Sequence, residues 1–252
     1  MSGLGRRRRV LAVGAHPDDV EIGCGATLLR NAAAGHRVTL LVLTAGQRGR
    51  AADARVAEQE RAAELLRAEV VWGGFADGEL RADGVTVAVV ERVLARTRPH
   101  VVYTHAPDDT HQDHVAAARA TLAAARWHPS VLHYHGPTTL RFSPSVFTDV
   151  EGWLDAKERL VRCHAGQVAA SRAVDLDAVR LAAAYWGGQA RLGQAEAFET
   201  ARLCWDPTAG AGPGPLDTRT DLPLAPRVTA AHGLPLVRCT GSAHQSGTST
   251  GT

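Results

Sequence analysis

The sequence predicts an α/β fold: a mostly parallel sheet covered by helices on both faces, followed by an irregular C-terminal extension. Short apolar runs alternate with stretches of helical period, which is the order a parallel sheet with crossover helices requires. The runs are apolar almost throughout rather than at every second residue, as expected of strands buried on both faces. From Asp206 onward Gly, Pro, Thr and Ser take over. The expected organisation is therefore a domain over 1–205 and a Gly/Pro-rich extension over 206–252, in which 227–237 has the composition to pack locally.

The elements follow in order. Residues 9–14 read as a buried strand ending at Gly14, and 21–34 as a helix ended by Gly35. Residues 37–44 form the clearest strand, with Gly46 and Gly49 marking the loop after it. The Ala-, Glu- and Arg-rich stretch 53–68 has helical spacing, with Asp53 as its expected N-cap. A strand over 70–72, a helix over 85–97, a strand over 101–104 and a helix over 113–125 complete the regular part. Beyond residue 130 the pattern loosens into strands at 131–135 and 146–147 and helices over 153–164 and 176–203.

With 252 residues and 45% apolar composition the chain can bury a full core. A formal charge of +2 argues against nucleic acid as the default partner, and Arg6–Arg9 reads as a solvated leader to the first strand. The apolar run behind those arginines is too short for a secretory h-region, and nothing approaches a membrane span. The four cysteines lie far apart without a CxxC pair. A reducing, cytoplasmic setting is the expectation.

Two clusters carry chemistry. The strand Val10–Gly14 runs into Ala15-His16-Pro17-Asp18-Asp19, and Val101–Thr104 is followed by His111-Gln112-Asp113-His114. Strand carboxyl ends are where open α/β sheets build sites, and imidazole with carboxylate is a donor set for zinc. His16, Asp19 and His114 are the expected ligands of one divalent cation per chain, zinc first, with other transition metals admitted by the same donors. Asp18 is the expected general base. His111 is placed to stabilise an oxyanion and to protonate a leaving amine, and Asp113 to orient His111 or hold it protonated. Amide or ester hydrolysis is the reaction class this suits.

Each cluster also has a plainer reading, His-Pro-Asp-Asp as a turn and His-Gln-Asp-His as a capped helix start. Their shared position after apolar strands favours the metal site. His105, at a strand end, is a candidate pocket residue, and His133 and His135 read as structural. Gly23-Cys24-Gly25 matches part of a dinucleotide fingerprint but lacks the third glycine, so it reads as close packing of the first helix.

The chain resembles the PIG-L / LmbE-like zinc-dependent N-acetylglucosaminyl deacetylases. The matching pieces are Ala15–Asp19 with Glu21–Gly25, Thr44–Gly46, Arg55 with Glu58, Phe75–Leu80 and Pro99–Tyr103. Asp109–His114, His164–Gln167 and Gly193–Phe198 continue the series, colinear over about residues 8–203. The resemblance implies a Rossmann-like fold, zinc on His16, Asp19 and His114, Asp18 as base and His111 as charge stabiliser or acid. It further implies that Arg55 and Asp77 contact the sugar or its appended group, and that Gln167 and His164 close the pocket. Surface salt bridge or turn cap is the alternative for Arg55 and Asp77.

Three positions depart from the family pattern. Val20 and Gln47 stand where glutamates are frequent, Gln47 remaining able to hydrogen-bond a sugar. Asp109 stands where the mycothiol-pathway members carry a tyrosine. The Ala/Arg-rich composition looks actinobacterial, and relatives there deacetylate sugars on antibiotics. The expected substrate is an N-acetylglucosaminyl group on a small-molecule glycoconjugate, such as a glycopeptide or aminoglycoside intermediate of antibiotic biosynthesis. The alternatives are a low-molecular-weight thiol precursor of the mycothiol or bacillithiol pathway, a deacylase or esterase, and a non-enzymatic carbohydrate-binding protein. No nucleic-acid or membrane partner is expected, and the oligomeric state, a homo-oligomer included, stays open.

Overall fold

The computed structural model of the protein describes residues 7–48, 52–170 and 174–204. The domain division at 205/206 and the local packing expected for 227–237 lie outside them.

Among the described residues the strands are β1 (Arg9–Gly14), β2 (Arg37–Thr44), β3 (Glu69–Phe75), β4 (Val101–His105), β5 (Val131–Tyr134), β6 (Val146–Asp149) and β7 (Ala195–Arg202). The helices are α1 (Asp19–Ala33), α2 (Ala52–Leu66), α3 (Gly84–Thr97), α4 (Gln112–Ala124), α5 (Leu154–Arg162), α6 (Ala165–Ala170) and α7 (Leu176–Ala190). The strands form one sheet in the order β3-β2-β1-β4-β5-β7-β6. Strands β1 to β5 run parallel, while β7 lies antiparallel to both β5 and β6.

The apolar strands explain the layering. Val10 and Ala12 of β1 join Leu28, Tyr134 and Leu160 in one core, whereas Leu11 and Val13 join Val90, Val102 and Ala117 in another. Successive side chains of a strand point to opposite faces, so a run apolar at every position supplies both cores at once. The chain direction through the sheet reverses between β1 and β4. A crevice opens at such a switch point beyond the strands' carboxyl ends.

Helix α1 is bent rather than continuous. Cys24 has φ −144° and ψ 19°, outside the helical region. The amides after the break need acceptors, and the Glu196 carboxylate takes those of Ala26 and Thr27 at 3.0 and 2.7 Å. Lys157 closes on the same carboxylate at 2.6 Å, forming a buried ion pair. Gly23 meets the expectation of close packing, because a Cβ there would run into the Tyr134 ring. That ring is pinned by its hydroxyl, which donates to the Val13 carbonyl at 2.8 Å. Gly23→Ala is therefore expected to destabilise the protein by about 1–3 kcal/mol through overpacking, read as a lower midpoint in urea.

Three expectations are corrected. The stretch 176–203 is not one helix: α7 stops at Ala190, Arg191 takes a left-handed conformation at φ 61°, and 195–202 form β7. Ala-Glu-Ala-Phe has good helix propensity, but pairing between β5 and β6 outweighs it, a tertiary override of a weak local preference. Asp53 is not the N-cap of α2, which already begins at Ala52; it lies in the first turn, where its charge complements the helix dipole. Helix α1 also starts at Asp19, earlier than expected, so the end of the His-Pro-Asp-Asp turn is its first residue.

Candidate metal centre

The turn after β1 and the segment after β4 meet in the crevice at the switch point. His16, Asp18 and His114 are each buried, and Asp113 is wholly so. Donor atoms fall into overlapping groups within 4.8 Å: His16 with His111 and His114, Asp19 with His105 and His114, and His16 with Asp77 and Asp113. The sequence triad His16, Asp19 and His114 is thus divided between the first two groups, which His114 joins. The pair distances are His114 Nε2 to Asp19 Oδ1, 3.3 Å, and His16 Nδ1 to Asp19 Oδ2, 3.4 Å.

Each imidazole is held from behind. His16 Nε2 lies 3.2 Å from both Asp77 Oδ1 and Asp113 Oδ2, leaving Nδ1 toward Asp19. His114 Nδ1 faces Asp109 Oδ1 at 3.4 Å and the Thr138 hydroxyl at 3.2 Å, leaving Nε2 toward Asp19. Outer hydrogen bonds of this kind fix ring orientation and raise the basicity of the inward nitrogen. Burial works against a charged His16, yet Asp113, Asp19 and Asp77 outweigh it and lift the imidazole to about 12. Burial likewise opposes charge on His114, which Asp19 and Asp109 raise to about 9. Asp77, hydrogen-bonded to His16, falls to about 2. Asp19 thus faces the inward nitrogen of each ring, and these nitrogen and oxygen donors fit zinc.

Asp18 occupies a left-handed conformation, φ 97°, which an aspartate tolerates better than most residues. Its backbone N–H points at Gln59 Oε1, 3.4 Å, and its Oδ2 lies 3.4 Å from Arg55 Nη2. Burial first, and the Asp19 charge second, push the Asp18 carboxyl up to about 7, against the pull of Arg55. That is the range a general base needs near neutrality.

His111 is the N-cap of α4: its Nδ1 accepts the Asp113 amide at 3.2 Å. Its ring stacks on His114 with centroids 4.5 Å apart. Burial, with His114 and His16 nearby, lowers its pKa. With Nδ1 occupied as an acceptor, the ring is neutral and carries its proton on Nε2, free to donate.

The expected roles shift accordingly. The Asp113 carboxylate does not orient His111; it serves His16 and accepts the Gly78 and Leu80 amides at 2.6 and 3.2 Å. Arg55 meets the turn that carries Asp18. It is buried, donating to the Pro17 carbonyl at 2.5 Å, and it holds the Pro17–Asp18 turn from beneath. Gly46 suits this turn, having a left-handed φ of 66° and lying against the Arg55 guanidinium. Gln47 is exposed on the loop after β2 and Gln167 half-buried on α6; among the described residues neither side chain bonds to the cluster. His164 is fully buried, 3.6 Å from Glu21 Oε2.

Sequence reasoning passed over Asp109 as a support for His114. The signal was an acid five residues before a ligand histidine and two before the cap, at the head of the quoted segment Asp109–His114. His105 was given only a pocket role; its Nε2 lies 3.1 Å from Asp19 Oδ2, and burial together with His114 keeps the ring at about 4, hence neutral.

Comparison with known proteins defines the class. A family model described as PIG-L, GlcNAc-PI de-N-acetylase, matches residues 11–125. The deacetylase YaiS of Escherichia coli K12, itself named as uncharacterized, is 34% identical over 163 residues, 60% of this chain and 86% of that protein. The chain belongs to the PIG-L de-N-acetylase family. A 1D-myo-inositol 2-acetamido-2-deoxy-alpha-D-glucopyranoside deacetylase of Rhodococcus opacus is 32% identical across 46% of this chain and 53% of its own length. A 4-oxalmesaconate hydratase of Pseudomonas putida is 27% identical across 64% and 74%. Among solved structures, the conserved protein TT1542 of Thermus thermophilus superposes with a TM-score of 0.71 at 28% identity, covering 79% of this chain and 97% of that one.

Proposed function

We propose that this protein is a metal-dependent N-deacetylase acting on an N-acetylglucosaminyl unit of a small-molecule glycoconjugate. The observation that carries the reading is the meeting of His16, Asp19 and His114 at the switch point with Asp18 buried beside them. Those three residues would hold one divalent cation, zinc first, and a bound cation supplies Lewis acidity toward the amide carbonyl.

The remaining chemistry belongs to the chain. Asp18 accepts a proton as water attacks the acetamide carbonyl. His111 Nε2–H donates a hydrogen bond to the developing oxyanion, which favours the charged tetrahedral state over the neutral amide. Collapse breaks the C–N bond, and the proton held by Asp18 goes to the amine; acetate and a free amino sugar leave. His111 donates a hydrogen bond but not a proton in this scheme, because a neutral imidazole with one N–H has none to spare.

The sugar is the part best supported, through the family and the Rhodococcus relative's named substrate. For the appended group, the antibiotic glycoconjugate is the preferred reading, with an inositol-linked thiol precursor as the alternative. Asp109, engaged with His114 and Thr139, offers no phenol at its position. A hydratase reading, suggested by the Pseudomonas relative, fits less well, since Asp18, Asp19 and Asp77 at the centre disfavour a polycarboxylate substrate.

The test is acetate release from a panel of N-acetylglucosaminides, followed by mass spectrometry for loss of one acetyl unit. Chelation is expected to abolish it and zinc to restore it. Release that survives complete metal removal would refute the metal assignment, and absence of release across the panel would refute the deacetylase. Asp113→Asn is expected to weaken zinc binding by about 10–100-fold, as loss of a ligand's orienting carboxylate does, measured by competition with a chromogenic chelator.

A further inference from the structure

Arg55 and Gln59 stand four residues apart on one face of α2, and both reach the same peptide unit. Arg55 Nη2 donates to the Pro17 carbonyl at 2.5 Å, and Gln59 Oε1 accepts the Asp18 N–H at 3.4 Å. That carbonyl and that N–H belong to one plane and point to opposite sides of the chain. The two side chains therefore hold the plane by both of its polar ends. Among the described residues Gln59, itself 1% exposed, is the acceptor that the Asp18 N–H finds.

The plane matters because φ of residue 18 is the torsion that joins it to the Asp18 Cα. At 97° this torsion lies outside the ordinary left-handed well, a strain that persists only where the surroundings enforce it. Residue 18 does not enforce it alone: it is the N-cap of α1, yet its side chain makes no capping hydrogen bond. Turning the plane over would set N–H against the Arg55 guanidinium and carbonyl against Gln59 Oε1. Donor would meet donor and acceptor would meet acceptor. Held as it is, the plane fixes how the Asp18 carboxylate stands to Arg55, 3.4 Å away.

Gln59 can serve in one orientation only. Its Nε2 donates to Glu21 Oε1 at 2.6 Å, and a carboxylate accepts without donating, so the amide oxygen is turned toward Asp18. Glu21 is buried on α1, with its other oxygen 3.6 Å from the Nε2 of fully buried His164.

We propose that Gln59, its polarity set by Glu21, is a positioning residue for Asp18: it locks the Pro17–Asp18 peptide plane and so aims the carboxylate that takes the proton from water. This rests on the deacetylase reading for its kinetic readout, but on the geometry of residue 18 alone for its structural readout.

Gln59→Met keeps the length of the side chain and removes both hydrogen bonds. It is expected to lower kcat by about 10²-fold, the effect of misplacing a reacting group by about 1 Å. The KM for an N-acetylglucosaminide and the zinc content are expected to stay close to the parent's. Gln59→Asn, a methylene too short to span Glu21 and Asp18, is expected to follow it and serves if the methionine variant does not fold. Exchanging the pair, Glu21→Gln with Gln59→Glu, keeps a donor at 21 and an acceptor toward Asp18 at 59. That double variant is expected to recover most of the lost turnover. The crystal structure of zinc-loaded Gln59→Met is expected to show φ of residue 18 moved away from 97° and the carboxylate displaced from Arg55.

Parent-like kcat in Gln59→Met, a loss that falls on KM or zinc content instead, a double variant as slow as Gln59→Met, or an unmoved Asp18 overturns the proposal. If the parent releases no acetate while the crystal structure of Gln59→Met shows Asp18 displaced, the deacetylase reading fails and the positioning assignment stands.

Discussion

Asp18→Asn is expected to lower kcat by about 10²–10⁴-fold, the contribution of a positioned general base, with zinc content and thermal midpoint retained. The variant isolates the chemistry well. Asparagine matches aspartate in shape and is also tolerant of the left-handed conformation that residue 18 adopts at φ 97°. The carboxamide can keep the contact with Arg55 only through its carbonyl, and it cannot accept a proton from water. Removing the Asp18 charge relieves repulsion from Asp19 and takes the ionic partner from buried Arg55, which keeps the Pro17 carbonyl as an acceptor. A variant that turns over near the parent rate would assign the base elsewhere. A variant that loses zinc together with activity would instead place Asp18 among the ligands.

Glu196→Ala carries the largest expected stability loss, about 3–5 kcal/mol, as for breaking a buried ion pair from one side. Lys157 and Glu196 are paired at 2.6 Å with side chains only 5% and 3% exposed, so the ammonium left behind loses its charged partner in a poorly hydrated position. The Ala26 and Thr27 amides at the bend of α1 lose their acceptor in the same step. Glu196→Gln retains an acceptor and is expected to fall between. Adding Lys157→Met to Glu196→Gln is expected to recover much of the loss, since no uncompensated charge remains. Chemical denaturation of the three variants reads this order; a loss under about 1 kcal/mol for Glu196→Ala would put the pair in the class of solvated surface bridges.

The regular half of the fold was legible because its strands are buried on both faces. Arg9–Gly14 and Arg37–Thr44 read as strands with the bounds the structure has, since no helical period competes with an unbroken apolar run. Residues 195–202 were not legible. Ala-Glu-Ala-Phe-Glu-Thr-Ala-Arg alternates weakly and favours helix locally; its strand state depends on edges supplied by β5 and β6, which are far away in the chain. The kink at Cys24 is of the same kind, since the amides it frees are satisfied only by a carboxylate on β7.

For the site, residue type and position after a strand were enough to mark His16, Asp18, Asp19, His111 and His114 as candidates, because side chains at the carboxyl ends of adjacent parallel strands share one crevice. Which carboxylate supports which imidazole was beyond the sequence. Asp113 stands two residues from His111 yet serves His16, since the first turn of α4 points its carboxylate back toward β1 and the Gly78 amide. Arg55, 38 residues along the chain, donates to the Pro17 carbonyl of the turn that carries Asp18, a contact that spacing does not show. Chain order and apolar pattern determined the sheet and the neighbourhood of the reactive groups, because both follow from local periodicity and burial. Only the tertiary structure decided the partners of each charge, because hydrogen bonds depend on directions and on distances of a few ångströms that no linear spacing encodes.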